Sequence, residues 1–334
     1  MRFLFFTDTH IKGTNPQNRK DNFLETLQKK IKEVLDIAVE KKVDVILHGG
    51  DIFDRPDVSP SLVREFVVLL NKYSIPVYAV AGNHDIYGQN PLTVNRTMLG
   101  LLDGMGIIKL IQPGEKLIFE DGPRKIQLTG QPYFYGIDGE DKRQSYMVEK
   151  SHDVNFAIHM VHGMLLEKPF FEGMSYTLIE EIVGTQADIT LSGHYHTGFN
   201  TKVIDGKFFI NPGSLVRINN SMNELLRMPK VIIIDINENI DIIETNLNCA
   251  LPGDEVLDRT KVQALAFREK KLAEFIQGIY STGQYNTINI NKIIEEISRQ
   301  QNIKEEVVKE ALQRIGAAQE MLSQNGGEEY PEVS

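Results

Sequence analysis

The sequence predicts a mixed α/β fold (α+β or α/β) in which helices and parallel strands alternate and a second sheet packs on the first. Apolar strand-like runs alternate with amphipathic helical patterns over residues 1–80, as expected for strands joined by crossover helices. Short strand-like runs separated by turn residues then fill residues 116–245. Five of the runs end in residues whose side chains bind cations, and ligands of such sheets collect beyond the carboxyl ends of strands.

The first 80 residues contain three predicted strands and two predicted helices. Apolar residues from Phe23 to Ala38 recur at helical spacing and predict a helix of about five turns. The second helix begins at Ser59-Pro60, because serine caps helix N-termini and proline is tolerated in the first turn. The predicted strands, each a short apolar run, are residues 2–7, 43–47 and 75–80.

The pattern changes after a helix that is predicted within residues 90–106. The Asp205-Gly206 pair predicts a tight hairpin between two of the following strands. A final strand pair, residues 230–236 and 240–245, completes the second half of the chain, which we assign to the second sheet. The six short strands before that pair are residues 116–119, 125–131, 155–161, 189–191, 199–203 and 207–210.

The composition shifts toward helix-forming residues after Pro252. Three helices are predicted there, at residues 262–280, 291–299 and 304–322. The end of the chain is polar and rich in glycine and acidic residues, so we expect it to be disordered. The predicted organisation is a domain of residues 1–250, a helical C-terminal region of residues 251–324 and a disordered tail of residues 325–334.

The overall composition is typical of a soluble globular protein, with 41% apolar and 25% charged residues. No run of about 18 apolar residues is present, so we expect no membrane span. The single cysteine, Cys249, excludes an internal disulfide framework and favours a reducing cytoplasm. The net charge of -10 counts mildly against nucleic-acid binding, although cations held by acidic side chains would reverse the local field.

The residues at the five strand ends predict a site for two divalent metal ions. They combine carboxylate, amide and imidazole groups, a mixed donor set that suits manganese, iron and zinc. Two ions about 3.5 to 4 Å apart can share a carboxylate and stabilise an in-line displacement at phosphorus, and Asp51 is our candidate for that bridge. The predicted ligands are Asp8, His10, Asp51, Asn83, His162, His194 and His196.

His84 follows the predicted ligand Asn83 and is our candidate catalytic residue. A histidine beside the metals can protonate or stabilise the leaving oxygen without being a ligand itself. Asp54 could orient its ring, because carboxylates orient catalytic imidazoles.

Each of these motifs also has a simpler interpretation. A single Asp-x-His or Gly-Asp pair is usually a turn with a solvated side chain, and Gly-His-x-His could be a structural zinc site. Recurrence at five strand ends favours the two-metal interpretation over these alternatives. Three histidines belong to no motif, and we interpret His48, His152 and His159 as structural or surface residues, with His159 on the opposite face of its strand from His162.

Taken together, the motifs resemble the signature of the calcineurin-like metallophosphoesterases over roughly the first 215 residues. The resemblance implies a four-layer αββα sandwich with a two-metal site. It implies that Asp8, His10, Asp51 and His196 hold one metal, that Asp51, Asn83, His162 and His194 hold the other, and that His84 is the catalytic acid. The motifs are Asp8-x-His10, Gly50-Asp51-x-x-Asp54, Gly82-Asn83-His84-Asp85, His162-Gly163 and Gly193-His194-x-His196.

Four local features narrow the resemblance within that superfamily. They are the strand that runs into Asp8, Pro60-Ser61 after Gly50-Asp51-Ile52-Phe53-Asp54, Asn95-Arg96 after Ala81-Gly82-Asn83-His84-Asp85, and Asn211-Pro212-Gly213-Ser214 with Arg217. With these features the chain most resembles the SbcD-type exonucleases of DNA repair. This resemblance implies manganese-dependent exonuclease and endonuclease activity on DNA, with Mg²⁺, Fe²⁺ or Zn²⁺ as alternative metals. It also implies a partner ATPase of the SbcC type, which docks on C-terminal helices, and we expect a homodimer.

Two arginines are candidate substrate-binding residues. Arg55 follows Asp54 as in the phosphatase branch of the superfamily, where such an arginine contacts phosphate, and Arg217 follows the last metal motif. Pro56, where that branch has glycine, makes the phosphatase branch less favoured. The alternatives are a phosphoesterase that acts on small nucleotides or phosphoproteins, and a scaffold that keeps the metals only structurally.

The C-terminal region departs from the SbcD-type pattern, since it is only about 80 residues long, shorter than a capping domain plus tail. The chain has no Gly-x-x-x-x-Gly-Lys-[Ser/Thr] loop, so any use of ATP must come from a partner. An apolar stripe in the predicted helices fits either partner docking or a self-packed helical hairpin. The stripe consists of Ile293, Ile297, Val307, Val308, Leu312 and Ile315.

Overall fold

A computed structural model describes residues 1–170, 173–260, 267–268, 270–271, 303–304, 306–311 and 314. The chain divides into two compact units, Met1–Arg259 and Thr260–Ser334. Most of the predicted C-terminal helices, most of the apolar stripe and the whole predicted tail lie outside the described residues. Across the parts of the chain that are described, no helix combines the length and the apolar character needed to cross a membrane.

The first unit contains two six-stranded sheets. The strands of the first sheet, in spatial order, are β14 (Ile240–Asn246), β13 (Lys230–Ile236), β1 (Arg2–Phe6), β2 (Val45–His48), β3 (Val77–Ala79) and β4 (Lys109–Leu110). Strands β1 to β4 are parallel, which confirms the predicted alternation of strands and helices, whereas β13 runs antiparallel to β1.

The position of the last strand pair, β13 and β14, differs from the prediction. We assigned this pair to the second sheet, but β13 pairs with β1 through the register Phe3 to Ile234. The reason lies in its burial, since Ile232 and Ile234 face the core between the sheets while Val231 and Ile233 face the helical side. A strand that is apolar on both faces needs a position where both faces are covered.

The second sheet contains the remaining long strands. It is mixed, because β5 and β11 at its two edges are antiparallel to their neighbours. The predicted hairpin turn is present, with positive φ at Asp205 (51°) and Gly206 (76°). In spatial order the strands are β11 (Phe199–Ile204), β12 (Lys207–Asn211), β10 (Ile189–His194), β7 (Phe156–Gly163), β6 (Arg124–Gln131) and β5 (Lys116–Asp121), and a small separate pair is formed by β8 (Leu165–Leu166) and β9 (Thr177–Leu178).

The first two predicted helices are present as α1 (Phe23–Glu40) and α2 (Pro60–Leu70). The Ser59 side chain accepts a hydrogen bond from the Leu62 N–H, so it caps α2 as predicted. The single helix predicted within residues 90–106 is instead a 3₁₀ segment, Pro91–Arg96, followed by α3 (Met98–Gly104), because Thr97 is extended and caps α3. The short helices are α4 (Arg143–Tyr146), α5 (Met222–Leu226) and α6 (Gly253–Val256), with further 3₁₀ turns at Asn83–Asp85, Tyr87–Gln89 and Ile179–Glu181.

The two sheets pack face to face, and helices cover their outer faces. Alternate residues of each strand therefore enter different layers. Phe3 and Phe5 of β1 lie in the core between the sheets, whereas Leu4 packs on the helical side with Leu27 of α1. On the outer face of the second sheet, Val161 of β7 packs with Tyr146 of α4. This arrangement confirms the four-layer αββα sandwich.

Candidate active site

The seven predicted ligands converge beyond the carboxyl ends of strands in both sheets. The loops after β1 and β2 are tied together, because the Asp8 N–H donates to Gly50 O at 3.0 Å and the His10 N–H donates to Asp51 O at 3.0 Å. Asp8, His10 and Asp51 have left-handed φ values of 54°, 42° and 53°. Such a backbone is strained for residues other than glycine and clusters at functional sites, where the surrounding structure holds it.

The first cluster of candidate ligands consists of Asp8, His10, Asp51 and His196, whose ligand atoms all lie within 4.8 Å of one another. His10 Nε2 is 3.5 Å from Asp51 Oδ2, and His196 Nε2 is 3.4 Å from Asp8 Oδ1. The Nε2 atoms of His10 and His196 are only 3.1 Å apart. Nitrogen and oxygen lone pairs thus converge on one small volume, which is the arrangement that a divalent cation requires.

The second cluster shares Asp51 with the first and adds His162 and His194. His162 Nε2 is 3.4 Å from Asp51 Oδ2 and 3.2 Å from Asn83 Oδ1. The same oxygen, Asp51 Oδ2, therefore faces one histidine from each cluster. This is the placement expected of a carboxylate that bridges two ions.

Hydrogen bonds from outside the clusters fix the orientation of the candidate ligands. His162 Nδ1 lies 2.7 Å from Gly49 O, so Nδ1–H donates to this carbonyl and Nε2 is the nitrogen that faces Asp51 and Asn83. Thr7 Oγ1 donates to Asp8 Oδ2 at 2.7 Å, and the His84 N–H donates to Asp51 Oδ1 at 2.9 Å. The ligand atoms are thereby held in place by the fold itself.

The glycines of the motifs are required by close approach to the candidate ligands. A Cβ atom at Gly50, where φ is 101°, would collide with the ring of His162, and one at Gly82 would collide with the carboxylate of Asp51. The motif glycines therefore make room for the clusters as well as allowing the turns.

The charges of the two clusters are coupled. Burial opposes ionisation of Asp51, but the facing His162 and His10 outweigh it and hold the pKa of Asp51 below its usual range. Burial likewise opposes a charge on His162, yet Asp51 raises the pKa of His162 to about 9. Burial lowers the pKa of His194 to about 4. Ionised carboxylates and lone-pair nitrogens are the forms that bind metal, and a bound cation would displace the His162 proton. The residues present therefore fit two divalent cations.

His84 lies beside the first cluster and is partly exposed. Its ring meets that of His10 edge to face, with centroids 4.7 Å apart. The hydrogen bond that orients His84 is made to the backbone carbonyl of Asp54, 2.8 Å from His84 Nδ1, and not to its carboxylate as predicted, although a carboxylate oxygen of Asp54 also lies within 4.8 Å of a His84 ring nitrogen. The carboxylate instead accepts from Lys12 Nζ at 3.0 Å and lies 3.7 Å from His10 Nδ1. The Asp54 side chain is thus held by its ion pair with Lys12, and the main chain provides the acceptor for His84.

A family model described as calcineurin-like phosphoesterase matches residues 1–198. The chain belongs to this family. As a phosphoesterase it is a hydrolase, and its buried Asp and His groups support binding of divalent metals.

This phosphoesterase has relatives among curated proteins. The DNA double-strand break repair protein Mre11 of Archaeoglobus fulgidus is 32% identical over 228 residues, covering 65% of this chain and 50% of the relative. The double-strand break repair protein MRE11 of Encephalitozoon cuniculi is 24% identical over 339 residues, covering 89% and 56%. The uncharacterized metallophosphoesterase YhaO of Bacillus subtilis is 27% identical over 169 residues, covering 50% and 40%. The chain spans about half the length of these relatives.

The two candidate substrate-binding arginines of this phosphoesterase lie in different environments. The Arg55 side chain is 67% exposed and pairs with Asp57 at 3.3 Å, so it is accessible at the surface next to Asp54. The prediction for Arg217 was wrong. Its guanidinium is buried and donates to Leu251 O and Arg227 O, each at 2.7 Å. A third contact joins Nη2 to Met228 Sδ at 3.5 Å, so Arg217 has a structural role and does not face substrate.

Two side chains near the centre of this phosphoesterase were not singled out from the sequence. Buried Asp85 accepts hydrogen bonds from the N–H groups of Phe53 and Gly82, both at 2.9 Å, and so joins the loops after β2 and β3. Burial and then the charge of Asp51 raise the pKa of Asp85 to about 7. The Tyr133 ring lies against His194, with centroids 5.4 Å apart. Asp85 belongs to the Gly-Asn-His-Asp motif, which was a usable signal, whereas Tyr133 belongs to none.

The three histidines outside the motifs are buried structural residues or surface residues, as predicted. His48 is buried, bonded to Thr9 Oγ1 at 3.2 Å, and burial lowers its pKa to about 3. His159 is buried on the opposite face of β7 from His162, where Nε2 lies 2.9 Å from Ser145 O. His152 is exposed. None of the three belongs to the described metal clusters.

Proposed function

We propose that this chain is a two-metal phosphodiesterase that hydrolyses DNA, as the nuclease subunit of an SbcCD-type complex. The observation that carries the proposal is the position of the Asp51 carboxylate. It is shared between the two ligand clusters, and it also accepts a hydrogen bond from the N–H of His84, the candidate catalytic acid. Phosphodiester hydrolysis needs charge stabilisation at phosphorus together with a proton for the leaving oxygen, and this site offers both.

The proposed ligands divide the centre into two sites that share Asp51. Two bound divalent ions would act as Lewis acids that stabilise the negative charge developing on the phosphoryl group. We propose Mn²⁺, because a mixed set of imidazole and carboxylate donors suits it. The proposed sites are Asp8, His10, Asp51 and His196 for the first, and Asp51, Asn83, His162 and His194 for the second.

His84 is proposed to give the leaving oxygen its proton. The Asp54 carbonyl accepts from Nδ1–H, which leaves Nε2 as the nitrogen that takes up and releases the catalytic proton. The His84 N–H donates to Asp51 Oδ1, so the backbone of the acid is fixed relative to the bridging carboxylate. Asp54 thus positions the acid through its main chain, and exposed Arg55 is proposed to contact a phosphate of the substrate.

DNA as substrate is supported by the names of relatives that are double-strand break repair proteins. We propose that residues 251–324 dock an SbcC-type ATPase, that residues 1–250 form the nuclease domain with a disordered tail at 325–334, and that the nuclease acts as a homodimer. We also propose a cytoplasmic location, which the single cysteine favours. Co-purification with a long coiled-coil ATPase would test the partner, and light scattering would test the dimer.

The central test is a hydrolysis assay with added Mn²⁺ on linear duplex DNA, single-stranded DNA and a chromogenic phosphodiester. We expect DNA degradation that falls by about 10² to 10⁴-fold in His84→Ala while both metals stay bound, because general acid catalysis contributes that much. The exposed His152→Ala is the matched control and should keep wild-type activity.

Other results of this assay would favour other functions. Turnover of the small ester alone would favour a phosphoesterase that acts on small nucleotides or phosphoproteins. Metals bound without any turnover would favour a structural metal site. Loss of metal from His84→Ala, measured by elemental analysis, would show that His84 is a ligand.

A further inference from the structure

Residues 214–217 form a buried segment whose four consecutive carbonyls are all held by basic side chains. Arg227 donates to Ser214 O and to Val216 O, each at 2.6 Å. Lys30 Nζ donates to Leu215 O at 2.9 Å, and Arg19 Nη1 donates to Arg217 O at 3.0 Å. We call Lys30, Arg19 and Arg227 the basic clamp.

The clamped segment contacts the metal-binding loops of both sheets through its own N–H groups. Ser214 N–H donates to His196 O at 2.9 Å, and Leu215 N–H donates to Thr7 O at 3.0 Å. His196 is a candidate ligand, and Thr7 precedes Asp8 and donates its hydroxyl to Asp8 Oδ2. The segment therefore ties Asp8, which follows β1, to His196, which follows β10.

The composition of the clamp is unusual for a part of the core that serves packing alone. Lys30 is fully buried in α1, and in the described part of the chain it has no carboxylate within ion-pair distance. Arg227 pairs with Glu224 at 2.8 Å and Arg19 with Asp21 at 2.7 Å. An apolar side chain at position 30 would pack without the cost of burying an amine, which indicates that the hydrogen bond to Leu215 O is what the site uses.

The positive charges near Lys30 repel a charge on its amine, and this repulsion shows that the basic side chains lie close together. Burial first, and then the nearby Arg227, Arg217 and Arg19, lower the pKa of Lys30 to about 7. A neutral amine still donates hydrogen bonds, so the contact with Leu215 O persists in either protonation state.

We propose that Lys30 and Arg227 are positioning residues that act through the segment 214–217 on His196 and Asp8, and thereby set the affinity of the first cluster for its metal. In the second cluster, Asn83 and His162 come from other loops, whereas His194 precedes His196 on the same loop and its N–H donates to Asp8 Oδ2 at 3.2 Å. The clamp therefore acts on two ligands of the first cluster directly, and on the second cluster only through the shared Asp51 and through His194. The proposal rests on the two-metal site proposed above but not on the identity of the phosphoester.

The test is calorimetric titration of Mn²⁺ into the metal-free full-length chain, with no substrate present. In Lys30→Met we expect one of the two Mn²⁺ affinities to fall by about 10 to 100-fold, the usual effect of removing a group that orients metal ligands, while the other falls by clearly less. Val34→Ala is the matched control, because Val34 is fully buried on the same helix and belongs to the apolar core on the helical side of the first sheet. It should lower the melting temperature and leave both affinities as they are.

Three results would overturn the proposal: two unchanged affinities in Lys30→Met, an equal fall of both, or the same fall in Val34→Ala. If Lys30→Met does not fold, Arg227→Lys provides the same test, since a single ammonium cannot replace a guanidinium that reaches both Ser214 and Val216. The measurement is separate from DNA cleavage, so a protein that binds two Mn²⁺ ions but leaves DNA intact would refute the nuclease proposal and still test the clamp.

Discussion

The two sheets contribute to the metal centre in different ways. The first sheet supplies both carboxylates, from loops whose backbone is left-handed at Asp8 and Asp51. The second sheet supplies only imidazoles, with His162 and His194 still within the ends of β7 and β10. Negative charge thus comes from one layer of the sandwich, and the groups that balance it come largely from the other.

This difference explains why the centre depends on the packing of the whole sandwich. Asp51 alone, buried after β2, would carry an uncompensated charge, and the histidines that lower its pKa include His162 of the other sheet. The apolar core between the sheets therefore brings the two halves together, and the electrostatic fit follows from that core.

Asp51 is the residue that belongs to both ligand clusters, so its substitution should have the largest effect. We expect Asp51→Asn to reduce hydrolysis by at least about 10³-fold, because a weaker amide oxygen replaces the shared carboxylate in both clusters. Mn²⁺ titration should show that both affinities fall together. Asp153→Asn, at an exposed ion pair with Lys125, is the control and should behave as wild type. Two ions bound tightly by Asp51→Asn would mean that the carboxylate does not bridge.

The second sheet also contains a histidine of another kind, His159, which is held neutral by burial. Burial lowers its pKa from 6.5 to about 4. Between those values only the unfolded chain takes up the proton, so the free energy of unfolding should fall by about 3 kcal/mol as the pH is lowered from 6.5 to 4. His159→Gln should be less sensitive to acid over this range in denaturant titrations. A wild-type pH dependence in His159→Gln, compared with the exposed His152→Gln, would contradict this.

The smallest effect on catalysis is expected for a substitution of Asp54, because Asp54 contacts His84 through its main-chain carbonyl. Asp54→Ala keeps the carbonyl that accepts from His84 Nδ1, so kcat should fall by less than about tenfold, far less than in His84→Ala. Steady-state kinetics on the same phosphodiester would compare the two variants. A loss in Asp54→Ala as large as that in His84→Ala would show that the carboxylate, through Lys12 or His10, matters more than the carbonyl.

The local features of the protein can be predicted from its amino-acid sequence. Helix α1 follows from apolar spacing, the start of α2 follows from Ser59 and Pro60, and the predicted ligands follow from their positions at strand ends. These features are readable because helix periodicity, capping and strand ends depend on residues that are close in the chain.

Contacts between groups that are far apart in the chain become known only from the folded structure. It placed β13 beside β1, turned the guanidinium of Arg217 onto Leu251 O, and brought Lys30 against Leu215 O. Each of these contacts joins residues that are far apart in sequence, and a residue type does not specify which partner it will find. Burial decides that choice, because an enclosed polar group must take whichever partner the packed chain brings within hydrogen-bond distance.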